Sequence, residues 1–289
     1  KDNNSYKEFF HNALDTILEE SSYLLGDQLT NFENEFAEYI GCTYAIGVSN
    51  GLDGLELILK AAGIGEGDEV IVPSNTYIAT WIAILNVGAK PVPVEPKLNT
   101  LLIDPSLIKS SITSKTKAIM VVHLYGLSCE MDTINKVAKE NNLLVFEDCA
   151  QSHGATYKGI KTGALSDASS FSCYPTKNIG ALGDAGVITT SNPEIYINAK
   201  DLRNYGSQKK YFNRLVGKNC RLDEIQAAFL RLKLKDIDNN NFKRDINASI
   251  YNTRLSFLQD KIKLPNHFNE NYKQVWHIFI ILTEKRNQL

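Results

Sequence analysis

The chain reads as an α/β protein with a mostly parallel central sheet and helices on both faces. Short β-rich apolar runs alternate with segments of helical periodicity through most of its 289 residues, the pattern of successive crossover units. After Asp223 the alternation gives way to helical patterning, which marks the start of a smaller appended part.

Lys1 to Glu8 is polar, and the apolar residues that follow recur at helical spacing, so the chain opens on a helix rather than a signal sequence. Strands are expected at Ala45–Val48, Val70–Val72, Pro91–Val94, Ala118–Val122, Leu143–Glu147, Ala168–Ser172 and Val187–Thr190. Helices are expected between them at Leu52–Ala62, Ile78–Val87, Met131–Asn141 and Glu194–Asn204. In the first of these, Leu55, Leu59 and Ala62, with Ile58 beside them, form the apolar stripe of a helix that packs on one side. Asp223-Glu224 sits where acidic side chains favour a helix start, ahead of Ile225, Phe229 and Leu232. A second helix is expected over about Phe242–Leu258, broken by Pro265 before a final strand at Val275–Ile281. The division that follows is residues 1–237 as a large domain and 238–289 as the start of a smaller C-terminal α/β domain. The chain lacks an initiating Met and stops just after a strand-like run, so we expect it to be truncated at the C-terminus.

Composition excludes several function classes. A formal charge of −2 offers no attraction to nucleic acid or anionic membranes, and no uncharged stretch of about 18 residues could span a bilayer. Five cysteines, Cys42, Cys129, Cys149, Cys173 and Cys220, form no CxxC pair, which suits reduced thiols in a cytoplasmic protein. No metal site is expected, because His123, His153 and His277 lack partners at helical spacing. There is no hydrolase elbow or P-loop, and Gly63-Ile64-Gly65-Glu66-Gly67 has the wrong spacing for a dinucleotide fingerprint.

The chemistry concentrates at two strand ends. Leu143 to Phe146 is apolar throughout and delivers Glu147-Asp148 to the C-terminal edge of the sheet, where open parallel sheets bind ligands. Taken alone, Asp148 reads equally as a helix cap. One strand later, Lys177 lies in an uncharged neighbourhood between Pro175-Thr176 and the glycine-rich segment Gly180 to Gly186. A lysine whose amine is partly neutral and a carboxylate that can keep a ring nitrogen protonated are the two groups that pyridoxal phosphate chemistry needs. Gln151 could bond a hydroxyl on the same ring, and Ser172 could bond a phosphate. Gly51-Leu52-Asp53 opens a helix whose N–H groups would face an anion, although glycine turns of this kind are common. Tyr77 could stack on a flat ring or be an ordinary aromatic at a sheet edge.

These residues, with Phe32 to Ala37, Gly65 to Pro73, Val122 to Gly126, Glu147 to Gly154, Tyr174 to Gly186 and Asn204-Tyr205-Gly206, resemble the sugar aminotransferases of the DegT/DnrJ/EryC1/StrS family, which are pyridoxal phosphate enzymes of fold type I. The likeness runs from about Leu25 to Ile281. It implies that Lys177 is the Schiff-base lysine, that Asp148 pairs with the pyridine nitrogen, and that Gln151 contacts the ring hydroxyl. Tyr77 would stack on the ring, with Ser172 and the backbone at Gly51, Leu52 and Asp53 around the phosphate. Asn219-Cys220-Arg221 matches the segment that reaches the phosphate from the neighbouring subunit, which implies a homodimer with two shared sites.

Pro73 to Trp81 and Pro91 to Pro96 look like the members that aminate carbon 3 of a dTDP-linked 3-keto-6-deoxyhexose, with L-glutamate as the implied amino donor. The other readings are a 4-amino sugar aminotransferase, a sugar dehydratase, against which Lys177 argues, and a noncatalytic sensor of pyridoxal phosphate or a sugar nucleotide. The chain departs from the family pattern at Gly54, where alanine is common, and at Ala185, where glycine is usual. The first is expected to loosen the helix start. The second bears on the backbone after the lysine.

Overall fold

Seven strands form the central sheet: β1 Tyr44–Val48, β2 Glu69–Pro73, β3 Lys90–Val94, β4 Thr116–Val122, β5 Leu144–Asp148, β6 Ala168–Ser172 and β7 Gly186–Thr190. The computed structural model describes residues 3–209, 211–265 and 269–288. Strand order is β1-β7-β6-β5-β4-β2-β3, with β3 to β6 of this order parallel and β7 antiparallel to both of its neighbours. All seven strands expected ahead of Asp223 are present.

The helices are α1 Lys7–Glu20, α2 Asp27–Ile40, α3 Gly51–Ala61, α4 Ile78–Asn86, α5 Pro105–Ile108, α6 Met131–Glu140, α7 Pro193–Leu202, α8 Glu224–Leu234 and α9 Ile237–Leu255. Strand alternation assigns them to two faces. Val70 and Val72 enter a core with Leu55, Ile84 and Ile195 from α3, α4 and α7, whereas Ile71 between them enters another with Ile108 and Ile134 from α5 and α6. Likewise Ile46 and Val48 join the first core, and Ala45 meets Phe32 and Phe36 of α2 and Leu230 of α8 in a third. Each large apolar side chain buried here contributes about 1.5–3 kcal/mol over its exposed state. Among the described residues no helix is long and apolar enough to cross a membrane.

Two local expectations change, and one gains a second role. No strand forms over 275–281: Val275 N–H donates to Gly126 O (2.9 Å) and His277 N–H to Tyr125 O (3.2 Å), but Trp276 between them has φ +48° and breaks the extended run. α9 begins at Ile237 rather than near Phe242, drawing in the Asn239-Asn240-Asn241 run because Asn241 is buried and donates to His153 O (2.8 Å). Glu224 lies in the first turn of α8 as expected and serves a second helix as well. Its carboxylate accepts from Gly26 N–H (2.8 Å), Gln28 N–H (2.8 Å) and Leu29 N–H (3.2 Å), supplying the cap that Gly26 cannot give α2.

Gly54 has a packing reason. A Cβ there would collide with Ser170 Oγ, whose hydroxyl donates to Gly51 O (2.9 Å) in the first turn of α3. The glycine gives up about 1 kcal/mol of helix propensity, and the serine bonds to the turn that the glycine would loosen. Ala185 needs no glycine, for it is buried without positive φ, and its carbonyl accepts from Cys173 N–H (2.7 Å). Gly54→Ala should therefore lower the denaturation midpoint by the equivalent of about 1–3 kcal/mol. Combined with Ser170→Ala it should cost less than the sum of the two single changes; strict additivity would mean that the hydroxyl is not the obstacle.

Candidate active site

β4, β5 and β6 all run the same way, and their register sets Val122 against Asp148 and Asp148 against Ser170. The C-terminal ends of the strands therefore meet at one edge of the sheet. A cleft of about 550 Å³ opens there, and Gly51, Leu52, Tyr77, Asp148, Gln151, Ser172 and Lys177 all line it. Two sequence candidates do not. Asp53 N–H is taken by Asn50 Oδ1 (2.8 Å), and its carboxylate accepts from Asn50 Nδ2 (2.9 Å), Ser49 Oγ and Lys218 Nζ (2.6 Å). Asn219 is exposed, and its backbone bridges to Asn204.

Asp148 is 6% exposed, and burial pushes its carboxyl above the ordinary range. Opposing this, Oδ2 accepts from Thr80 Oγ1 (2.8 Å), Oδ1 accepts from Ala150 N–H (3.1 Å), and the charge of Lys177 favours the anion. Burial also draws the Lys177 ammonium below its usual range, with Asp148 pulling the other way. Both ionisable groups are thus biased toward their neutral forms. Lys177 is presented by a turn in which its N–H donates to Tyr174 O (2.8 Å).

The glycine at the helix start is required by close approach, because a Cβ on Gly51 would lie 2.7 Å from Ser172 Cβ. Gln151 Oε1 accepts from Tyr125 N–H (2.6 Å), which turns its NH₂ into the group it can offer. Tyr77 stands at the rim of the cleft, 73% exposed.

Sequence reasoning missed Thr80, which touches Asp148, and His277 and Ile278, which line the cleft from the segment taken for a strand. Thr80 carried a faint signal, because Thr76 and Thr80 stand one turn apart at the start of α4 and their hydroxyls are 2.9 Å apart. His277 carried none.

One buried group brings together residues that could ligate a metal: His123, Glu147 and Cys149. Histidine and acid, distant in sequence, do meet here. Their donor atoms are already committed, however. His123 Nδ1 accepts from Cys129 N–H (3.0 Å), so Nε2 carries the proton that faces Glu147 (2.8 Å). Glu147 also accepts from Gly163 N–H (2.8 Å), Leu165 N–H (3.0 Å) and Ser166 Oγ (2.8 Å). The group is a cross-brace beneath Asp148, holding the 163–166 loop against β5.

Residues 4–289 match the model of the DegT/DnrJ/EryC1/StrS aminotransferase family, and the chain belongs to that family. It is 51% identical to a dTDP-3-amino-3,6-dideoxy-alpha-D-galactopyranose transaminase of Aneurinibacillus thermoaerophilus, over 98% of this chain and 77% of that one. Among solved structures it is similar to Streptomyces venezuelae DesV in complex with a ketimine intermediate, with TM-score 0.96, 44% identity and coverage of 99% of this chain and 76% of that one. It is also similar to NtdA from Bacillus subtilis with bound cofactor PMP, with TM-score 0.92, 34% identity and coverage of 99% and 65%.

The raised Asp148 carboxyl has a measurable sign. A folded-state value above the ordinary one, about 3.9, contributes stability below about pH 4 that is lost as pH rises through the raised value. In cofactor-free protein, the unfolding free energy of wild type relative to Asp148→Asn should fall as pH increases from about 4. A flat or rising difference would show that the buried carboxylate is not penalised.

Proposed function

We propose that the chain is a pyridoxal phosphate-dependent aminotransferase that converts a dTDP-linked 3-keto-6-deoxyhexose into the 3-amino sugar, with L-glutamate as amino donor. The observation that carries this reading is the joint placement of Asp148 and Lys177 on one cleft, both biased by burial toward neutrality. The donor set fits the cofactor. Gly51 packs directly against Ser172 and both line the cleft, Asp148 offers an anion to a ring N–H, and the Gln151 NH₂ suits a ring hydroxyl.

Pyridoxal phosphate, when bound, supplies an electron sink that carries the amino group from donor to keto sugar. Lys177 Nζ, whose burial favours the neutral amine, would hold the cofactor through its aldehyde carbon, and once released would be the base placed to take the α-proton of the amino donor. Asp148 would meet the ring nitrogen, with Thr80 and the Ala150 N–H fixing both of its oxygens, and a protonated ring would favour its anion. Tyr77 would cover one ring face, and Gly51 and Leu52 would offer N–H groups with the α3 dipole to the phosphate.

Among the described residues that line this cleft Lys177 is the only Lys or Arg, which leaves room for a cation from outside it to meet the phosphates. The exposed Asn219, followed by Arg221, suits a partner subunit that completes the site, and we propose a homodimer on that ground. The cytoplasm is the compartment that fits its five free cysteines.

Added glutamate should convert the visible band of the cofactor-loaded protein to the pyridoxamine spectrum. An unchanged band would exclude transamination. Lys177→Ala should remove the borohydride-reducible link to the cofactor and cut turnover by about 10³-fold or more. The 3-keto dTDP sugar should yield an aminated product and its 4-keto isomer should not, as judged by product analysis.

A further inference from the structure

We propose that His277 reads the sugar substrate: its Nε2 accepts a hydrogen bond from a ring hydroxyl of the keto sugar. This rests on the aminotransferase reading above and adds a specificity-determining residue to it.

The argument starts beside the lysine. Asn178 is 3% exposed, and its Nδ2 donates to Val275 O (3.0 Å) and to Asn241 Oδ1 (2.8 Å). A backbone carbonyl can only accept, so the contact with Val275 fixes which way the Asn178 amide points. Asn241 is oriented in the same manner, because its Nδ2 donates to His153 O (2.8 Å). Asn178 Oδ1 is then the atom that faces His277 Nδ1 at 3.2 Å. An amide oxygen can only accept, and Nδ1 must carry the ring proton. In the neutral ring that leaves Nε2 as the accepting nitrogen, whatever it meets.

The ring is held as well as oriented. His277 N–H donates to Tyr125 O (3.2 Å), and the same Tyr125 holds Gln151 through its own N–H (2.6 Å). His277 lines the cleft with Lys177 and Ile278. Near neutral pH an accepting nitrogen repels carboxylate and phosphate oxygens and welcomes a hydroxyl. Of the two substrates, the amino donor presents carboxylates beyond its reacting amine, whereas the sugar presents hydroxyls. His277 should therefore discriminate in the second half-reaction and leave the first alone.

Two substitutions separate this role from simple anchoring. His277→Gln puts an acceptor near the position of Nε2 and gives up the bond to Asn178; His277→Asn keeps a donor near Nδ1 and gives up the acceptor. His277→Asn should raise KM for the keto sugar about tenfold and His277→Gln by less, while glutamate converts the visible band within about twofold of the wild-type rate in both. If the Asn variant equals or betters the Gln variant, or if the glutamate half-reaction falls in step, the ring only anchors its segment and the proposal is wrong.

Unmodified enzyme gives a second measurement. Nitrogen-15 spectra of its histidine rings should show His277 protonated at Nδ1, with Nε2 perturbed by unreactive dTDP-6-deoxyhexose. An Nε2–H tautomer, or no perturbation, overturns the proposal. Failure of glutamate to convert the wild-type band would instead sink the aminotransferase reading, leaving the spectra to decide the tautomer.

Discussion

The site depends on a carboxylate withdrawn from water at the end of the central strand. Burying an ionised carboxylate without a close counter-charge is expensive, and among the described residues Asp148 receives two neutral hydrogen bonds and the more distant attraction of Lys177 and His123. The fold tolerates this because β5 is locked by parallel neighbours and by the His123–Glu147 brace beneath it. A group with a protonatable ring nitrogen would relieve a penalty that folding has already incurred. That is how a site comes to prefer the cationic form of what it binds.

The same economy of position governs the loops. Tyr125 and Gly126, at φ +63° and +87°, make a corner whose main-chain groups serve three segments at once. Tyr125 N–H fixes Gln151, Tyr125 O takes His277 N–H, and Gly126 O takes Val275 N–H. A Cβ at Gly126 would stand 2.9 Å from Trp276 N, so the corner admits the late segment only because that residue is glycine. Residues more than a hundred positions apart thus share one rigid reference.

The sheet was legible because its strands are short, apolar and separated by helices long enough to show their period. That Gly51, Asp148, Ser172 and Lys177 would gather at one edge of the sheet was legible because strand ends place them by chain order. What the sequence hid depends on contacts that no local pattern encodes. Thr80 is one threonine among many until α4 carries it to Asp148. Glu224 looks like an ordinary first-turn acid, yet it caps α2 across the molecule. Val275 to Ile281 has the composition of a strand, and its conformation is set instead by the Tyr125 corner. Propensity is a weak prior wherever tertiary bonds can outbid it.

Asp53 illustrates a subtler division of labour. Its place at the helix start suggests a phosphate contact, but its N–H and carboxylate are taken up by Asn50, Ser49 and Lys218. Lys218 also bonds Glu56 Oε2 (2.9 Å), so the segment carrying Asn219 is fastened to α3. The two acids are largely buried, while the lysine is partly open to solvent, which screens the pair. The firmer hold is buried and made of backbone: Cys220 N–H donates to Arg203 O (3.1 Å) and Ser49 N–H to Cys220 O (3.1 Å). Exposed Asn219 is bracketed by these two attachments and held outward at a set distance from its own helix start. In a homodimer of the kind proposed, each subunit would present that residue to the other's cleft with its own phosphate cradle as the template, and the geometry of the two sites would be fixed together.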